Sequence, residues 1–153
     1  MIDNMNNKEI YRFTTILDAI EDSDIMDDYS KFINCCIKFA QKKIIPISNY
    51  AEYLEKLIQF SICFLNGKID AKTLNQSINR AYQEKPIYHS DYDEKILSVI
   101  LYLTNDDFLS NLTPEDQQDT HLSYFLNLLY EIQNNLILCE EFYYFIISTY
   151  NYD

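Results

Sequence analysis

The sequence predicts an all-α fold, an antiparallel bundle of about five to six helices, on three observations. Apolar residues recur at steps of three and four along nearly the whole chain, the mark of helices with one buried face. One glycine and three prolines in 153 residues are too few for the tight turns of a β-sandwich or barrel. Hydrophobic residues make up 48% and aromatic residues 15%, enough apolar surface to offset chain entropy and build a core without disulfides or metals.

The first helix is expected over Lys8 to Ile20, with Ile10, Phe13, Ile16, Leu17 and Ile20 on one face, and an acidic joint from Glu21 to Asp24 follows. Tyr29, Phe32, Ile33, Cys36, Ile37, Ala40 and Ile44 define a second helix, led by Asp27 and Asp28 and closed by Lys42 and Lys43, a polarity that suits the helix dipole. Pro46 ends it. Ser48 or Asn49 is expected to cap a third helix running through Leu54, Leu57 and Ile58 to Phe64 and Leu65, and Gly67 falls where a left-handed residue stops a helix.

Asp70 is the expected N-cap of a fourth helix, with Leu74, Ile78, Ala81 and Tyr82 inward and Pro86 beyond its end. Ser90 or Asp91 begins a fifth, with Tyr92, Ile96, Val99, Ile100 and Leu103 facing in. Asn105 to Thr113 reads as a polar acidic loop. Thr113 before Pro114, then Glu115 and Asp116, is a start signal for a sixth helix carrying Leu122, Phe125, Leu126, Leu129, Ile132 and Leu136. The tail from Phe142 to Tyr150 is aromatic and β-branched, and its periodicity fits a helix or a strand.

Composition narrows the function. A lone glycine excludes the phosphate-cradling loops, which need several. The net charge is −12, and residues 96–153 hold nine acids with no lysine or arginine. Such a chain repels nucleic acid and anionic lipid and attracts a basic protein; the plainer reading is that the acidity only keeps the protein soluble. No secretory leader or stretch of about 20 apolar residues is evident, so the four cysteines are expected to be reduced thiols in a cytoplasmic protein.

No pattern predicts a catalytic, metal or cofactor site. Cys35 and Cys36 are adjacent, which helical geometry points about 100° apart, and metal pairs sit two to four residues apart. His89 and His121 have no histidine or cysteine one turn away. Asp91, Asp93 and Glu94 lack the glycine of a calcium loop, since Ile96 stands there. They suit the N-terminus of helix five and a partner equally. Asp106, Asp107, Glu115, Asp116 and Asp119, interleaved with Phe108, Leu109 and Leu112, have the anchor-and-rim composition of a protein interface. The opposite expectation is that Phe108 and Leu112 tuck into the core. A second acidic cluster comprises Asp18, Glu21, Asp22, Asp24, Asp27 and Asp28.

The stretch from Leu57 to Ile78, LIQFSICFLNGKIDAKTLNQSI, resembles the start of the colicin D immunity family of small helical bundles. It has a helix ending in Phe64-Leu65, a turn through Lys68-Ile69, a cap, Ala71, and a helix with Leu74 inward; Ile96 to Phe108 is similar to the family's next helix and loop. The resemblance implies a single domain over 1–153, with N-terminal helices (1–48) added to an immunity-like bundle (49–138) and a tail (139–153). It implies a non-enzymatic protein that neutralises a nuclease toxin, typically one cutting transfer RNA, by covering its basic active site. Asp106 and Asp107 lie in the matching loop; Asp91, Asp93, Glu94, Asp116 and Asp119 join them by proximity, and Phe108 joins the partner-binding set as the apolar anchor read from the loop's composition. The partner is then a basic toxin domain, with no cofactor, membrane, nucleic acid or small substrate. The alternatives are a nucleic-acid-mimicking inhibitor of another basic protein and a non-catalytic structural subunit.

Overall fold

Asn6 opens the first helix with a reciprocal cap: its side chain accepts from the Glu9 N–H, and the Glu9 carboxylate accepts from the Asn6 N–H. The computed structural model describes residues 5–110 and 118–150, and among these there is no β-strand. The α-helices are α1 (Asn7–Glu21), α2 (Tyr29–Phe39), α3 (Ala51–Leu65), α4 (Ala71–Gln83), α5 (Asp91–Tyr102), α6 (Asp106–Leu109), α7 (Gln118–Gln133) and α8 (Ile137–Tyr150). The count exceeds the expected five to six because the acidic loop contains α6 and the tail is the helix α8. The Thr113-Pro114 start signal lies outside the described residues.

The chain forms two compact units, one of residues 1–35 and 114–153, the other of residues 36–113. The expected joints at 48 and 138 differ from these boundaries, since the first helix and the last two belong together.

The first unit is built on α1, α7 and α8, which contact one another pairwise. Phe13, Ile16 and Ile20 of α1 are buried, as are Leu122, Phe125, Leu126, Leu129 and Ile132 of α7 and Leu138, Cys139, Phe142 and Ile146 of α8. The rings of Phe125 and Phe142 meet edge to face at 4.9 Å. Asn134, with φ 55°, ends α7, and the Asn135 side chain accepts from the Ile137 N–H to start α8. Polar ties align the helices: Tyr130 donates to the Glu9 carboxylate at 3.1 Å, and Arg12 pairs with Glu140 at 3.1 Å. A 3-10 turn, Asp24–Asp27, buries Ile25 and joins α1 to α2.

In the second unit the α-helical bonding of α2 gives way to a π segment at Ala40–Ile44 and a 3-10 turn at Ile45–Ile47. Pro46 has no N–H to donate back, and its ring would crowd the carbonyl four residues earlier. α3 and α4 form a hairpin. Its turn is a full Schellman motif, in which the Gly67 N–H bonds the Phe64 carbonyl, the Lys68 N–H bonds the Cys63 carbonyl, and Gly67 has φ 74°. Asp70 caps α4 by accepting from the Thr73 N–H, as expected. Leu54, Leu57 and Ile58 of α3, Leu74 of α4, and Ile96, Leu97, Val99 and Ile100 of α5 make the core, and buried Ser61 donates to the Leu103 carbonyl.

Candidate protein-binding surface

The two units divide the charge unequally. The first holds fifteen acids against three basic residues and therefore the whole net charge of −12; the second holds nine of each. Asp91, Asp93, Glu94, Asp106 and Asp107 all lie in the balanced unit.

Asp93 is corrected from a surface acid to an interior one. It is buried and accepts four hydrogen bonds, from the Ser48 hydroxyl, the Asn49 backbone and side chain, and the Ser90 hydroxyl. Burial raises the pKa of such a group, and the hydrogen bonds from Asn49, Ser90 and Ser48 outweigh it, so the carboxyl titrates below its ordinary range. The same contacts revise the expected cap of α3. Asn49 is turned to Asp93, and Ser48 accepts from the Tyr50 N–H while donating to the carboxylate.

Phe108 is corrected as well. It is buried, with its ring 4.7 Å from that of Tyr102, so it is a core residue of α6 and no exposed anchor. Leu109 is buried beside it. Asp107 is exposed and Asp106 half-buried at the start of α6, where the Asn105 side chain accepts from the Asp107 N–H. Asp91 and Glu94 are exposed but partly neutralised, by Lys95 at 3.3 Å and Lys85 at 3.5 Å. α5 has 12 residues and so is about 18 Å long, which separates Asp91 and Glu94 at its start from Asp106 and Asp107 beyond its end. Asp116, and the side chain of Asp119 in the first turn of α7, lie outside the described residues.

The acids that do gather are those of the α1–α2 corner. Asp18, Asp22, Asp24, Asp27 and Asp28 are all exposed, and none lies within ion-pairing distance of a described lysine or arginine. Asp28 also accepts from the Lys31 N–H in the first turn of α2. The same unit exposes aromatic and aliphatic side chains that sequence reasoning did not single out: Tyr11 is 76% exposed, Tyr144 59% and Ile137 53%. α8 is apolar around most of its circumference, so its sequence gave no sign of which side would face out.

Cys139 and His121 are both engaged in packing. The Cys139 thiol is buried, donates to the Leu126 carbonyl at 3.2 Å, and is pushed up to about 12, chiefly by burial, so it stays protonated at neutral pH. His121 lies 6.1 Å, ring to ring, from Tyr29. Among the described residues no group of three or more His, Cys, Asp or Glu could hold a metal ion, and no helix is long and apolar enough to cross a membrane. Comparison with protein-family models, with curated proteins and with solved structures finds no match to this chain.

Proposed function

We propose that the chain is a non-catalytic, cytoplasmic immunity protein that binds a basic nuclease toxin domain and covers its active site with carboxylates, as the resemblance to the colicin D immunity family implies. The observation that carries the reading is the confinement of all the net negative charge to one unit. A nuclease grips RNA through cations that neutralise phosphates, so an acidic surface is the natural complement to its cleft. The exposed corner from Asp18 to Asp28 is the first candidate face, and Asp106 and Asp107 the second. Tyr11 and Tyr144 are exposed rings of the same unit, of the kind on which arginine packs.

The test looks for a nuclease domain in the neighbouring reading frame and produces it together with this chain. Co-expression is expected to restore growth, and association is expected to slow as salt screens the charges over about 8–10 Å. Replacing Asp22, Asp24, Asp27 and Asp28 by Asn is expected to slow association about tenfold or more at low salt. Replacing Asp106 and Asp107 by Asn addresses the second face through the dissociation rate. Wild-type kinetics in both variants, or a salt-independent association rate, would remove the proposal.

A further inference from the structure

The α3–α4 hairpin carries a cleft of about 240 Å³, lined by Lys56 and Phe60 from α3 and by Ser77, Arg80, Ala81 and Glu84 from α4. It lies wholly within the second unit. Residues 66–70 join the two helices, and the short connection makes them antiparallel. Phe60 and Ser77 therefore mark one end of the cleft, Glu84 marks the other, and Lys56 and Arg80 stand between. The Tyr53 hydroxyl, donating to the Ala81 carbonyl at 2.7 Å, holds this register.

Neither cation is ion-paired among the described residues. Glu52 lies one turn before Lys56 and Glu84 one turn after Arg80, the spacing at which helical ion pairs close. Neither pair is formed, and no described carboxylate lies within ion-pairing distance of either cation. Glu55, the other acid nearby on α3, accepts from Gln41 and Gln59 instead. Both cations are exposed, whereas Phe60 and Ser77 are half-buried and Ala81 is buried. The cleft thus offers positive charge on both walls, a ring and a methyl group on its floor, and a hydroxyl able to donate.

An anion between Lys56 and Arg80 would gain charge-assisted hydrogen bonds from both. The volume lies below the roughly 300–1,000 Å³ of sites for drug-sized ligands, so the occupant is small. Glu84 at the far end opposes a second negative charge, which disfavours a polyanion. We infer that this cleft binds a small apolar body carrying one terminal anionic oxygen group, a carboxylate or a phosphate monoester, with Lys56 and Arg80 on the anion and Phe60 against the body. The ligand is a free molecule. The inference is independent of the toxin-binding proposal, since it concerns the other unit and needs no toxin.

The test is titration of the ¹⁵N-labelled full chain at low salt with phenyl phosphate, benzoate and inorganic phosphate, followed by amide chemical shifts. Saturable shifts are expected at Lys56, Phe60, Ser77 and Arg80, with phenyl phosphate binding more tightly than inorganic phosphate because it adds apolar contact. The double variant Lys56→Gln, Arg80→Gln is expected to weaken phenyl phosphate about tenfold with unchanged helical circular dichroism, and Glu84→Gln to tighten it. If the same amides shift when the protein alone is concentrated, a carboxylate of a second copy fills the cleft and the small-molecule assignment is overturned. Shifts that never saturate, that spread equally over Lys38, Lys42 and Lys43, or that persist unchanged in the double variant would overturn the assignment.

Discussion

The Asp93 carboxylate accepts from Asn49 twice, from its side-chain amide at 3.0 Å and from its backbone N–H at 3.2 Å. With Ser48 and Ser90 on the same group, one side chain ties the start of α3 to the start of α5. Asp93→Asn keeps the shape but replaces an acceptor by an amide that faces donors. It is expected to destabilise the protein by about 2–3 kcal/mol in urea unfolding.

The pH dependence of that contribution has a definite sign. Because the folded carboxyl titrates below its ordinary range, its stabilisation is fully present above the unfolded pKa of about 3.9 and is lost as pH falls through the folded value. The stability gap between wild type and Asp93→Asn is therefore expected to be constant from pH 7 to 5 and to narrow in more acid solution. A gap that widened there would contradict the hydrogen-bond account.

Tyr88 presents the opposite case. Its hydroxyl is buried with no hydrogen-bond partner among the described residues, while its ring lies 4.3 Å from that of Tyr50 and 5.0 Å from the Lys85 ammonium. Burial is the main cause that raises its pKa. Tyr88→Phe retains both ring contacts and removes the orphan group. Chemical denaturation is expected to show a neutral change or a gain of up to about 1 kcal/mol.

Thiol chemistry should follow burial. Cys35, Cys36 and Cys139 are fully buried and Cys63 is half-exposed. Under native conditions at pH 8, an aromatic disulfide reagent is expected to modify Cys63 first, and the other three at the slow rate of opening. Rapid labelling of Cys139 would show that α8 leaves α7 readily.

Both left-handed helix ends can be probed. Gly67→Ala adds a methyl that meets nothing within 4 Å, so the expected loss of about 1 kcal/mol is backbone strain alone. Asn134→Gly relieves the same strain at φ 55° and is expected to stabilise by about 0.5 kcal/mol or more.

With fifteen acids and three basic residues, the first unit repels itself. Raising sodium chloride from about 10 to 200 mM shortens the screening length from roughly 30 to below 10 Å. The melting temperature is expected to rise over that range, and a fall would mean that attractive pairs dominate.

Much of the fold was legible because caps and stops were local. Asp70, Ser90 and Gly67 each do what their identity predicts. The end of α7 was hidden because Asn134 stands where glycine would have announced a stop, and α8 was ambiguous because a helix apolar on most sides has little periodicity. The acids were harder, because a carboxylate's role depends on distant residues. Nothing near Asp93 in sequence reveals that Ser48 and Asn49 reach it, and nothing near Phe108 reveals the ring of Tyr102. Counting charge along the chain pointed to residues 96–153. Counting it by unit adds the N-terminal acids and removes Asp106 and Asp107.

Chain connectivity sets an order of assembly. Residues 36–113 are continuous, so that unit has all its parts as soon as they leave the ribosome, while α1 must wait for α7 and α8 before it can bury Phe13, Ile16 and Ile20. Until then the acidic corner sits on an unfinished scaffold. A nascent chain stalled before α8 would therefore present the charges without the architecture that arrays them.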